Sequence, residues 1–164
     1  MIILKLPEEI EKARASNRIV AEVLSRLREK IKPGVKTKEL DKLAEEITAK
    51  RGAKPAFKGY RGYPFALCVS VNDVVVHGMP SDRVLEAGDI VGLDFGVFYD
   101  GFYGDAAITL PVDKVSEKAE KLMQVTEQSL YAGIEQAKSG NRLGDISAAV
   151  QDTVEKAGYS VVRD

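Results

Sequence analysis

Asp100-Gly101 separates two runs rich in β-branched, aromatic and small residues, Ile90 to Tyr99 and Phe102 to Leu110. Asp-Gly between such runs signals a β-hairpin, because a tight primed turn needs positive φ at both central residues. With these two residues at the tip, Tyr99 faces Phe102, Gly96 faces Asp105 and Asp94 faces Ala107. Side chains alternate between the faces of a strand, so Asp94 and Asp105 share a face. They become diagonal neighbours, roughly 7–8 Å apart. Two ionised carboxylates at that separation among apolar neighbours need compensation, and a divalent cation between them supplies it. Glycines at 96 and 104 are expected to clear side-chain bulk beside such an ion. The alternative is that each aspartate decorates a solvated face, although aspartate is depleted in strands.

The same register logic reaches upstream. Asn72-Asp73 reads as a second two-residue turn, which would set Cys68 opposite His77. His77 is the only histidine of the chain and precedes Gly78-Met79-Pro80, a strand end from which a side chain can project into a cleft. It is read either as a functional imidazole or as a hydrogen-bonded core or surface histidine.

The flanking sequence is helical. Pro7-Glu8-Glu9 opens a helix with proline in the first turn and acids at the positive end of its dipole. Ile10, Ala13, Asn17, Val20, Leu24, Leu27 and Ile31 follow at helical spacing, closed by Pro33-Gly34. A second helix, capped by Thr37, turns Leu40, Leu43, Ala44 and Ile47 inward and stops before Gly52. Lys54 to Pro64 has no period and reads as a connection carrying three aromatics. A third helix is expected over Ser116 to Lys138 and a fourth over Leu143 to Lys156, with Tyr159 to Val162 beginning a strand. Balanced charge (net −1) with no basic stripe argues against a dedicated nucleic-acid surface. One cysteine excludes an internal disulfide and suits a reducing cytoplasm, and no apolar stretch reaches membrane-spanning length.

The chain also repeats itself at an offset of 106 positions. Leu24 meets Leu130, Gly34 meets Gly140, Leu40 meets Ile146, Lys50 meets Lys156 and Gly52 meets Gly158. Each copy is a long helix, a glycine turn and a shorter helix. The first copy, about 8–113, continues into strands and the aspartate pair; the second, about 116–164, has only its helices and the start of a strand. A repeat whose second member lacks its sheet implies an incomplete architecture within one domain, 1–164.

Gly59-Tyr-Arg-Gly-Tyr-Pro64, Cys68-Val-Ser-Val-Asn72, Val76-His-Gly-Met-Pro80, Gly88-Asp-Ile-Val91, Asp94-Phe-Gly96 and Gly101-Phe-Tyr-Gly-Asp105 together resemble the type I methionine aminopeptidases. The resemblance runs from about residue 3 to the end. It implies an α+β fold, an antiparallel curved sheet covered by helices on one face, here an incomplete pita-bread fold. It implies a pair of divalent metal ions (Co, Mn, Fe, Zn or Ni), with Asp94 and Asp105 matching two carboxylate ligands. His77 matches the histidine that hydrogen-bonds the scissile peptide. Phe57, Tyr60, Tyr63 and Cys68 match the pocket for a methionine side chain, and Arg61 stands where some members carry histidine.

The family's remaining ligands, one histidine and two glutamates, have no match. No histidine follows His77, and Glu117, Glu120, Glu127, Glu135 and Glu155 all fall on expected helices. The resemblance therefore implies a cytoplasmic enzyme acting on the N-terminal methionine of polypeptides. The chain itself is expected to be inactive or very weak. The alternatives are a truncated or engineered half-domain that self-associates through an exposed sheet edge, and a non-catalytic binding module of the same fold.

Overall fold

A computed structural model describes residues 3–163. The chain divides into two compact units at Val115/Ser116, where the two copies of the repeat meet.

The first unit is built on one long strand. In chain order it contains α1 (Pro7–Arg28), α2 (Thr37–Lys50), β1 (Lys54–Pro55), a 3-10 turn (Tyr60–Gly62), β2 (Leu67–Val71), β3 (Ile90–Tyr99) and β4 (Phe102–Pro111). β3 pairs antiparallel with β4 along its whole length, from Ile90↔Pro111 to Tyr99↔Phe102. Its other edge is shared by β2, through Leu67↔Phe95 to Val71↔Val91, and by β1, through Pro55↔Val97. Asp100 and Gly101 make the connecting turn at φ 47° and 84°, so the hairpin has the expected register. The alternation separates the faces. Val91, Leu93, Phe95 and Val97 are buried with Leu67, Val69 and Val71, and join Val20, Val23, Leu24 and Leu27 of α1 and Leu40 and Ala44 of α2 in the core. Cys68, Asp94 and Asp105 belong to the opposite face, fixed there by parity.

Local chemistry sets the helix ends. Pro7 occupies the first turn of α1, and the Glu9 carboxylate accepts the free Leu6 N–H at 2.7 Å. The expected stripe holds from Val20 onward, but Ile10 and Asn17 are exposed while Ser16 and Ile19 are buried. The reason is backbone proximity. A Cβ on Gly104 would lie 2.7 Å from the Ser16 carbonyl carbon, so only a small residue fits where α1 crosses β4. Thr37 is the first residue of α2 rather than its cap; its hydroxyl donates to Ser81 O (3.1 Å) and accepts from Ser81 N–H (2.8 Å), tying down the loop before β3.

Two expected features differ. Val74 to Pro80 form no strand, and the sheet partner of Cys68 is Asp94 of β3 rather than His77. Asn72 does turn the chain, at φ 57°, but its side chain reaches across to the sheet: Oδ1 accepts Ile90 N–H (3.0 Å) and Nδ2 donates to Asp89 (2.7 Å). The return segment meets β2 at Gly78, whose O accepts Val69 N–H (2.8 Å) and whose N–H donates to Ser70 Oγ (3.2 Å). Gly78 passes so close that a Cβ would meet Val69 O at 2.2 Å. Tyr159 to Val162 likewise form no strand; no neighbouring strand among the described residues pairs with them.

The second unit contains α3 (Glu117–Gln136) and α4 (Leu143–Lys156). Ser116 caps α3 by accepting Ala119 N–H, and the Asp145 carboxylate accepts Arg142 N–H at the start of α4. Gly133 lets the helices close on Val150 and Ile146, with Val125, Ser129 and Val154 buried. α4 is α2 displaced by the repeat offset, residue for residue: Thr37 maps onto Leu143 and Lys50 onto Lys156. The glycines that follow α2 and α4, Gly52 and Gly158, both have positive φ.

Candidate active site

The site face of the sheet forms the floor of a cavity of about 530 Å³ lined by Phe57, Tyr60, Arg61, Gly62, Tyr63, Cys68, His77, Met79, Asp94 and Asp105. All seven residues singled out in the sequence are in this lining.

Each wall has a local cause. The floor comes from β2 and β3–β4, where Cys68 and Asp94 are directly opposed and Asp105 faces Gly96. The start of β2 is held by Asp41 of α2, whose carboxylate accepts both Ala66 N–H (2.9 Å) and Leu67 N–H (3.0 Å). One aromatic wall is Phe57. A Cβ on Gly96 would lie 2.7 Å from Phe57 Cε1, so that glycine makes room for the ring. Gly104 makes room for α1. Gly104 thus faces the core rather than the acid pair, contrary to the expectation from sequence, whereas Gly96 shares the face of Asp94 and Asp105. The Tyr63 hydroxyl lies within hydrogen-bond distance of Leu67 O (3.0 Å) and Gly78 O (3.2 Å), joining β2 to the segment that carries His77. His77 itself adopts φ 58° and is exposed. Such a conformation is uncommon in a non-glycine residue; the next residue, Gly78, is fixed by its carbonyl's bonds with Val69 N–H and the Tyr63 hydroxyl.

The electrostatics of the floor are those of two acids in contact. Burial pushes the Asp94 carboxyl above its usual range; the negative charge of Asp105 adds to the shift, and His77 partly offsets it. Burial also raises Asp105, opposed by its hydrogen bond with Asp94. Desolvation raises the Cys68 thiol, against a Tyr63 hydrogen bond, with the charges of Asp94 and Asp105 reinforcing the rise; Cys68 is thus a neutral wall rather than a thiolate. Tyr63 is raised far above the phenol range, first by burial. Paired carboxylates that disfavour joint ionisation form a hard-oxygen donor set suited to a divalent cation, which removes their repulsion. The donor set therefore fits the metal the sequence implies. Among the described residues no group of three or more His, Cys, Asp and Glu side chains converges on one point.

Met79 and Gly62 were not anticipated from the sequence. Met79 follows His77 in the turn Gly78-Met79-Pro80 and is 62% exposed, a cue in its position beside the lone histidine.

Comparison with known proteins extends the geometry. A family model described as metallopeptidase family M24 matches residues 11–164. A methionine aminopeptidase of Clostridium perfringens is 51% identical over all 164 residues, and methionine aminopeptidase 1 of Bacillus subtilis is 49% identical over the same span. In both cases the match covers 100% of this chain and 66% of the relative, so the chain spans just under two thirds of their length. The crystal structure of the Thermotoga maritima methionine aminopeptidase superposes with a TM-score of 0.97 at 46% identity, again over 100% of this chain and 66% of that one. The α+β arrangement of antiparallel sheet and helices is accordingly that of the pita-bread enzymes. On a family match that takes in most of its residues, this chain belongs to metallopeptidase family M24.

Proposed function

We propose that this chain carries the substrate pocket and two of the metal-bearing carboxylates of an aminopeptidase that removes methionine from the N terminus of polypeptides. The supporting observation is the single cavity in which aromatic walls, a neutral sulfur, an imidazole and an acid pair meet. Phe57, Tyr60 and Tyr63 with Cys68 offer the soft, apolar contacts a thioether side chain prefers. Asp94 and Asp105 would hold the divalent ions; with no ion bound, their negative charge favours the substrate ammonium at the floor. Bound there, the ions supply Lewis-acid polarisation of a carbonyl and acidify water. His77 donates a hydrogen bond to the scissile amide or to the charge that develops on it. A buried free cysteine fits a reducing, cytoplasmic setting.

Two carboxylates, with no third ligand converging on them among the described residues, leave a divalent ion mostly water-bound. The chain by itself therefore has little or no turnover. A Met-Ala-Ser peptide incubated with the chain and added Co or Mn should release almost no methionine. Robust release that Asp105→Ala abolishes would overturn that conclusion.

A second reading, self-association, is favoured by β4. Its outer edge pairs with no strand among the described residues, and Val75 and Val76, in the segment after β2, are exposed in the same unit. Bare edges and apolar patches invite pairing between copies. Light scattering at high concentration should give a mass of two chains or more; a sharp monomer would sink this reading.

A further inference from the structure

The cavity holds one permanent cation that the reading above leaves without a role. Arg61 occupies the 3-10 turn Tyr60–Gly62 at φ 49°, ψ 30°, between Gly59 and Gly62, both also at positive φ. The turn is clamped from both ends: Gly59 N–H donates to Tyr63 O (2.8 Å), and Tyr63 N–H donates to Tyr60 O (3.0 Å). A left-handed conformation is costly for a long side chain, and glycine or asparagine would adopt it more readily. The guanidinium lies over the Tyr60 ring at 5.5 Å. It makes no ion pair and no hydrogen bond to any described residue, although exposed arginines elsewhere in the chain, such as Arg51 with Glu22, find a carboxylate. Its fork of donors is therefore free beside a cavity whose floor carries two acids.

Place in the fold separates these charges. Asp94 and Asp105 stand on the sheet, Asp94 directly opposite the buried Cys68, whereas Arg61 stands on the exposed Tyr60–Gly62 turn. The cavity is thus negative at its floor and positive at its rim. A ligand complementary to it has an ammonium at one end and a carboxylate a short distance along an extended backbone, at ~3.3–3.6 Å per residue.

We propose that Arg61 is a specificity residue at the rim of the cavity, selecting peptides that carry a carboxylate within the first few residues after their amino terminus. This rests on the peptide-binding reading above. An arginine fork engages a carboxylate bidentately, and the Tyr60 ring beneath keeps the guanidinium plane oriented for it.

The test is binding, so that turnover is not needed. C-terminally amidated Met-Ala-Glu, Met-Ala-Gln and Met-Ala-Lys, and Met-Ala-Gln with a free C terminus, are titrated into the chain by NMR. Met-Ala-Glu amide should bind on the order of three- to tenfold tighter than the glutamine peptide, and the lysine peptide weakest. The free C terminus reports whether a main-chain carboxylate serves as well as a side chain. Arg61→Gly, which relieves the backbone strain, and Arg61→Gln should erase the discrimination while retaining the neutral peptide; Arg61→Lys should keep part of it. Equal affinities on the wild-type chain, or discrimination that survives Arg61→Gly, would overturn the role of Arg61 alone. Failure of all four peptides to bind would overturn it together with the peptide-binding reading.

Discussion

Asp89 shows how one side chain can hold the loop that feeds the site. It is 8% exposed and sits one residue before β3. Its carboxylate accepts Asn72 Nδ2 at 2.7 Å and Glu86 N–H at 3.0 Å, with Arg83 at 3.6 Å. Burial pushes this carboxyl up, but those three donors outweigh it and hold it below the ordinary value of 3.8. Its stabilising contribution is therefore complete above pH 3.8 and is lost as pH falls through the depressed value. Asp89→Ala should cost about 1–3 kcal/mol at pH 7, because the Asn72 amide and Glu86 N–H lose their acceptor. Urea unfolding at pH 7 and pH 3 checks this: the difference between variant and wild type should shrink at the lower pH. In the sequence, Asp89 was legible only as part of the Gly88-Asp-Ile-Val91 motif; its partner Asn72 comes from a turn seventeen positions away.

At the scale of elements, the hairpin β3–β4 is placed by its fit to α1. Gly104 meets the Ser16–Asn17 backbone, and the buried Ser16 hydroxyl lies near Tyr99 O (3.2 Å) and Phe102 O (3.1 Å) on either side of the turn. Gly104→Ala should push the helix off the strand at about 1–3 kcal/mol. Gly96→Ala displaces the end of a side chain, Phe57, and should cost less while reshaping the pocket. Thermal melts of the two variants side by side check the order; a reversed order would contradict the packing. The hairpin register was readable from Asp100-Gly101 because a primed turn admits few residues. The false hairpin at Asn72-Asp73 was not avoidable on local grounds, since Val74-Val75-Val76 has strand propensity, yet the return segment bonds β2 only at Gly78.

At the scale of the whole molecule, two units carry one repeat, and only the first adds a sheet and a cavity to its helices. Among the described residues, the two acids that line the cavity, Asp94 and Asp105, both lie in that first unit. Divalent manganese should therefore bind with a dissociation constant on the order of 10⁻⁴ M or weaker. Asp94→Asn or Asp105→Asn should abolish it in isothermal titration calorimetry. Nanomolar binding would require protein ligands beyond this pair.

Sequence alone determined what short-range chemistry governs: the helices, the Asp100-Gly101 turn, the parity that puts Asp94 and Asp105 on one face, and the repeat that reappears as α2 and α4. Each follows from steric limits on a few neighbouring residues, or from a period the backbone imposes. Tertiary structure alone decided which glycine clears which neighbour, that Cys68 opposes Asp94, that His77 rides on an irregular segment at positive φ, and that Arg61 faces the cavity unpaired. Those outcomes depend on close approaches between segments distant in the chain, where packing in three dimensions, not local preference, selects the partner.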